Sequence, residues 1–221
     1  MAVATVDGLI FDFDGVILDT ETPDFEVWQN VYQAHGLELP LDLWITRVGS
    51  ITGAGFNPQT HFEKMTESSL DEAFLKAHEA NYLAMCDQLS ILPGVEAILS
   101  AAKQRGIKLA IASNSVRVWV ETRLKQHNLY HYFDCIRTRD DVTQVKPAPE
   151  LYLSAAACLD LPVERCVAIE DSPTGMNAAL AAGMRCIAVP NTITIRLQRP
   201  EVTLTLNSLA DFNLDQLIAQ V

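Results

Sequence analysis

The chain has no cluster of Lys or Arg, no Cys-x-x-Cys pair, no internal repeat and no apolar run of membrane-spanning length. Each absence narrows the function. With 16 Lys+Arg against 28 Asp+Glu and a net charge of −12, neither nucleic acid nor an anionic membrane is expected as a partner. The excess negative charge reads mainly as solubility. Five cysteines (Cys86, Cys135, Cys158, Cys166 and Cys186) lack zinc-like spacing and lie mostly in apolar stretches. They are expected to behave as small buried hydrophobes. Residues 1–20 lack the basic start and apolar core of a secretory signal, so a reducing cytoplasm is the expected compartment. Low-complexity tracts are also missing. What remains is 221 residues, 49% hydrophobic and 20% charged. That suffices for one good core, or one core plus a small accessory domain, and a monomer is expected.

Several short apolar runs end in polar residues: "LIFD" at 9–12, "IKLAIAS" at 107–113, "CVAIED" at 166–171 and "RCIAVP" at 185–190, with "FDCI" at 133–136 as a further strand candidate. Helical periodicity fills the intervals at 94–106, 116–128, 148–160 and 172–183. The last has a Ser–Pro start and a Gly stop. Strands that are apolar throughout and alternate with helices predict an α/β fold, a Rossmann-like parallel sheet covered on both faces. Residues from about 22 to 90 break the alternation and read as helices (23–36, 58–67 and 70–87). The predicted division is an α/β core at 1–19 and 92–221 with an all-helical insert at 20–91, hinged near 18–22 and 88–93.

The segment "GLIFDFDGVILDTE" (8–21) ends an apolar strand in Asp12, Asp14 and Asp19. Each ionised carboxylate raises the cost of ionising the next. Ligands of open parallel sheets bind beyond the carboxyl ends of the strands. Those ends deliver Asp12 and Asp14, then Ser113 and Asn114, then Glu170 and Asp171, with Lys146 entering from the "QVKPAPE" loop. Any one of these is ordinary as a cap or turn residue. All four segments at one edge, in this order, are not. Oxygen ligands without His or Cys suit Mg²⁺, whose shell a substrate phosphate completes. The Ser113 hydroxyl, the N–H groups of the following helix start and Lys146 suit that phosphate.

The pattern resembles the haloacid dehalogenase superfamily of aspartyl-phosphate-forming phosphotransferases. "DFDGV" at 12–16, "ASN" at 112–114, Lys146 in "KPAPELY" and "EDSPTG" at 170–175 are similar to its four motifs, in order. The insert resembles the helical cap of the β-phosphoglucomutase and phosphoglycolate-phosphatase-like branch. The resemblance implies Asp12 as nucleophile and Asp14 as acid and then base. It implies Mg²⁺ held by the Asp12 carboxylate, the Asp14 backbone carbonyl, Asp171 and Glu170, with Ser113, Asn114 and Lys146 on the phosphoryl oxygens. It also gives the insert a role as lid, with Thr20, Glu21 and Thr22 at the hinge and "RVGSITGAGFN" (47–57), starting at Arg47, as substrate selectors. Phe25, Trp28 and Tyr32 read as packing inside the insert. The five histidines show no metal spacing.

The expected activity is a Mg²⁺-dependent phosphatase acting on a small phosphorylated metabolite. A β-phosphoglucomutase-like isomerase is the alternative. Such mutases usually carry a His where this chain has Asp24 and an Arg near Thr52. A 2-haloacid dehalogenase would need neither Asp14 nor the Glu170–Asp171 pair. A binding module that kept only the fold would be expected to have lost site residues that are all present.

Overall fold

The computed structural model describes residues 5–47 and 55–221. β1 (Gly8–Phe11) is followed by four helices, α1 (Glu21–Ala34), α2 (Leu41–Trp44), α3 (Pro58–Thr66) and α4 (Glu72–Cys86), and then by α5 (Val95–Gln104). Alternation follows: β2 (Lys108–Ala112), α6 (Arg117–Gln126), β3 (Cys135–Arg137), α7 (Glu150–Cys158), β4 (Cys166–Glu170), α8 (Pro173–Ala181), β5 (Arg185–Ala188), β6 (Leu204–Thr205) and α9 (Leu214–Ile218). The strands form one sheet in the order β3-β2-β1-β4-β5-β6, with every pairing parallel. The expected α/β core is present.

Period-two alternation sorts each central strand onto two apolar layers. Leu9, Phe11, Leu109, Ile111, Val167 and Ile169 face the layer that includes α5, α6 and α9. Ile10, Ala110, Ala112, Cys166 and Ala168 face α7 and α8. That second face is built largely from alanine and cysteine, which lets the helices sit close to the sheet. β1 lies between β2 and β4, so the chain leaves its first strand to one side and later returns on the other. The crevice at this reversal of strand order is the place where such sheets bind ligands.

Among the described residues, 20–91 hold helices and no strand. Their apolar side chains form a separate cluster of Trp28, Tyr32, Leu39, Trp44 and Phe62, with Phe25 against it. Ile193, from the segment after β5, joins that cluster. Helix α1 begins two residues earlier than its periodicity predicts, and α3 and α4 fall where the pattern placed them. The four-residue α2, the two-residue β6 and the short α9 carried no readable periodicity. No helix among the described residues is long and apolar enough to cross a membrane.

One expectation is corrected. Cys135 on β3 and Cys158 at the end of α7 are joined in a disulfide across 23 residues of sequence. The remaining three cysteines are free and buried, as expected. Spacing along the chain could not show the pair, because only the packing of α7 on the edge of the sheet brings the two together.

Candidate active site

Asp12 continues the ladder of β1, its N–H donating to Ile169 O at 2.9 Å. The chain then turns tightly, with Gly15 N donating to Leu18 O at 2.7 Å and Ile17 N to Phe13 O at 2.9 Å. Gly15 adopts φ +84°, and a Cβ there would lie 2.2 Å from Asp171 Oδ2, so the turn can close against the acid only without a side chain. At the end of β4, a Cβ on Gly175 would meet the Glu170 carboxyl in the same way. Ser172 caps α8 by accepting from Gly175 N at 3.2 Å, and Pro173 occupies the first turn, as the Ser–Pro start predicted.

Three carboxylates from two sequence-distant segments converge. Asp12, Glu170 and Asp171 are buried, and one oxygen from each lies within 4.8 Å of the others. Lys146 enters this group from the loop before α7, its Nζ donating to Asp12 Oδ1 at 2.8 Å and to Glu170 Oε1 at 2.5 Å. The Tyr152 hydroxyl donates to the same Glu170 oxygen at 2.7 Å. Asn191 Nδ2 donates to Asp171 Oδ2 at 3.0 Å. Asn114 works on the backbone: its Oδ1 accepts from Lys146 N at 2.9 Å and its Nδ2 donates to Lys146 O. The ammonium is thus fixed at both its tip and its root.

One ammonium among three buried carboxylates leaves an excess of negative charge. Burial, and then Glu170, push the Asp12 carboxyl up to about 7. Burial, followed by Asp12 and Glu170, raises Asp171 well above the ordinary carboxylate range. Burial alone would lower Lys146, but Asp12 and Glu170 more than offset it and keep the amine protonated. Carboxyl groups gathered this closely resist ionising together. Their all-oxygen donor set fits a hard divalent ion.

Asp14 is outside that cluster. Its Oδ1 accepts from Thr20 Oγ1 at 2.8 Å and Trp119 Nε1 at 2.9 Å, and its Oδ2 from Ser115 Oγ at 2.5 Å and Ser113 Oγ at 3.4 Å. Asp12, Asp14, Ser113 and Lys146 border one cavity of about 250 Å³, which Thr20, Glu21, Asp24 and Tyr82 close from the insert side. Burial, and then Asp24 and Asp14, push Glu21 up to about 8. Burial raises Asp24 as well, despite its Arg47 partner.

Thr20, Glu21, Ser113, Asn114 and Lys146 all line this cavity. Arg47 does not. It pairs with Asp24 at 2.6 Å, sits 4.9 Å from the Trp44 ring centroid, and is not among the residues that line the cavity. A nearby carboxylate is a better partner for it than an open cavity. The rest of the loop at 47–57 is outside the described residues as far as 54. Trp119, Ser115, Tyr82, Asp24, Tyr152 and Asn191 were missed. For Ser115 the signal was present, because "SNS" repeats the hydroxyl two residues on. The others lie on helices or loops whose facing is not written in their own segment.

A parallel sheet with an acid cluster and a lysine at its switch point is the ligand site of a doubly wound α/β protein. The chain belongs to the haloacid dehalogenase-like hydrolase family, whose pattern it matches over residues 9–189. It is 42% identical to YhcW of Bacillus subtilis (strain 168), a protein named provisionally as a phosphatase, over 96% of each chain. It is 33% identical to the fructose-1-phosphate phosphatase YqaB of Escherichia coli (strain K12), covering 82% of this chain and 95% of that one. Among solved structures, CbbY from Rhodobacter sphaeroides in complex with phosphate superposes with a TM-score of 0.74 at 26% identity, over 94% of this chain and 96% of that one.

Proposed function

We propose that the chain is a Mg²⁺-dependent phosphatase that releases phosphate from a small phosphorylated metabolite, a sugar or polyol phosphate, through an aspartyl-phosphate on Asp12. One observation carries this reading: the buried Asp12 carboxylate shares Lys146 with Glu170 beside Asp171, against a cavity of about 250 Å³ that Asp12, Lys146 and Asp171 line.

Asp12, Glu170, Asp171 and the Asp14 backbone carbonyl would hold the ion. When bound, it supplies positive charge that keeps Asp12 ionised and neutralises phosphoryl oxygens. An Asp12 oxygen attacks phosphorus, and the ester P–O bond breaks with its electron pair going to the leaving oxygen. Asp14 gives that oxygen a proton. In the second half, Asp14 takes a proton from water as the water oxygen attacks phosphorus. The Asp12–phosphorus bond then breaks, returning the free carboxylate and inorganic phosphate. Ser113 and Lys146 bind the transferring oxygens, and Lys146 offsets repulsion between the nucleophile and the anionic substrate. Asn114 contributes by setting the Lys146 backbone.

The insert, residues 20–91, acts as the lid on the core at 1–19 and 92–221, excluding bulk water and choosing the leaving group. On its side the cavity offers Glu21, Asp24 and Tyr82, and Lys146 is the one cation among the described residues that line it. Carboxyl groups, neutral or ionised, bond to substrate hydroxyls, and no second cation stands among the described lining residues to take a second anion. A hydroxyl-rich leaving group fits, and a bisphosphate fits poorly. This also weighs against a phosphoglucomutase-like isomerase, as do Asp24 and Thr52 at the positions named above.

A panel of phosphorylated metabolites assayed with Mg²⁺ for phosphate release tests the reading. Turnover of one or more sugar or polyol monophosphates is expected. Efficient conversion of β-glucose 1-phosphate to glucose 6-phosphate with little free phosphate would overturn it in favour of the isomerase.

A further inference from the structure

We infer that Trp119 is a positioning residue for Asp14, setting the orientation of its carboxyl toward the leaving oxygen, and that its ring is the surface on which the insert registers its place. This rests on the reading of Asp14 as the acid–base group.

Trp119 stands in the first turn of α6, yet its Nε1 donates to Asp14 Oδ1 at 2.9 Å, across 105 residues of sequence. An indole N–H can only donate, whereas a hydroxyl can donate or accept. Oδ1 accepts from this fixed donor and from the Thr20 hydroxyl at 2.8 Å, while Oδ2 accepts from Ser115 at 2.5 Å and Ser113 at 3.4 Å. Three of the four partners are hydroxyls, which can turn; the indole N–H cannot. The indole is therefore the contact that sets the plane of the carboxyl, and with it the direction from which Asp14 meets the leaving oxygen.

The ring is itself held on its faces. Arg123, one turn further along α6, places its Cζ 3.3 Å from the ring centroid. Tyr82 of α4 lies parallel to Trp119, with centroids 5.8 Å apart and planes 7° apart. Tyr82 belongs to the insert and Trp119 to the core, and both line the cavity. The aromatic pair thus ties the position of the insert to the orientation of the acid. Neither contact is needed to build the sheet or the acid cluster.

The experiment compares two aryl esters of similar size with Mg²⁺ present. Phenyl phosphate must expel a phenolate of pKa about 10, which needs a proton, whereas p-nitrophenolate leaves readily without one. The readout is kcat/KM, which ends with departure of the alcohol and so omits the later attack of water. Trp119→Phe keeps the aromatic face and loses the N–H. It is expected to lower kcat/KM for phenyl phosphate by about tenfold or more and for p-nitrophenyl phosphate by less than about threefold, with KM nearly constant. Tyr82→Leu is expected to give the same split at smaller size. Equal losses on both esters, or none on either, would overturn the role of Trp119. Should the Phe variant fail to fold, Tyr82→Leu decides alone, and the absence of a split there overturns the inference. A wild-type protein inert toward both esters and toward every sugar and polyol monophosphate would instead overturn the phosphatase reading beneath it; if only the sugar or polyol monophosphates turn over, a Trp119→Phe loss of less than about threefold on them overturns the role of Trp119.

Discussion

Gly175 packs directly against the carboxyl group of Glu170: a Cβ on it would fall 1.8 Å from Oε1 and 2.0 Å from Cδ. The glycine is in the first turn of α8, with an acid of the cation site where its side chain would be. Gly175→Ala must therefore push Glu170 out of the cluster or shift the start of α8. Calorimetric titration with Mg²⁺ is expected to show affinity reduced at least about tenfold, with phosphate release falling in parallel, as for the loss of a supporting contact at a metal centre. Unchanged affinity would show that Glu170 takes no part in holding the ion.

Asp12→Asn keeps the shape of the side chain and its neighbours while removing the nucleophilic oxygen. Turnover is expected to fall by about a thousandfold or more, with circular dichroism unchanged. Turnover within tenfold of wild type would remove Asp12 from the nucleophile role.

The raised carboxyl of Asp12 predicts a pH dependence of cation binding. Without the ion, burial and Glu170 hold this group at about 7, against an ordinary carboxylate near 4. Below about 7 the proton must be displaced before the ion binds; above it the carboxylate is already free. Mg²⁺ affinity should therefore rise with pH up to about 7 and level off above it as far as this group decides. Proton release on binding should be largest on the acid side. Titrations in two buffers of different ionisation enthalpy measure that release. No release at pH 6 would contradict the assignment.

The Cys135–Cys158 bond predicts three titratable thiols in the denatured, unreduced protein and five after reduction. Closing a loop of 23 residues constrains the unfolded chain by about 3 kcal/mol in the entropic description. Reduction should accordingly lower the melting temperature by several degrees. Five thiols without reductant would remove the bond.

Beryllium fluoride with Mg²⁺ is expected to inhibit phosphate release, because it mimics a phosphoryl group on a carboxylate. Complete insensitivity would count against a covalent intermediate on Asp12.

Strand ends were legible in the sequence because a buried parallel strand is apolar along its whole length and stops visibly where it meets the crevice. Asp12, Ser113, Glu170 and Asp171 could be found in that way. Lys146 could be placed only as a neighbour, since its loop lies beside the sheet. Trp119 and Tyr152 could not be placed at all. Each sits on a helix, where the same spacing that buries one face decides which side chain reaches the crevice, and the helix alone does not say how it is rotated. The partner of Arg47 was not legible for another reason: it is Asp24, twenty-three residues away in sequence, and only the packing of α1 brings the two together. Cys135 and Cys158 look like any other small apolar residues until α7 is laid against β3.

Ile193 and Asn191 stand two residues apart, one packed among the aromatic side chains of the insert and the other bonded to Asp171. Helices swinging away from the sheet would have to strip Ile193 bare or drag its segment along. In the second case Asp171 would lose a hydrogen bond, so that under the proposed function an opening of the lid would slacken the grip on the ion at the moment when product must leave.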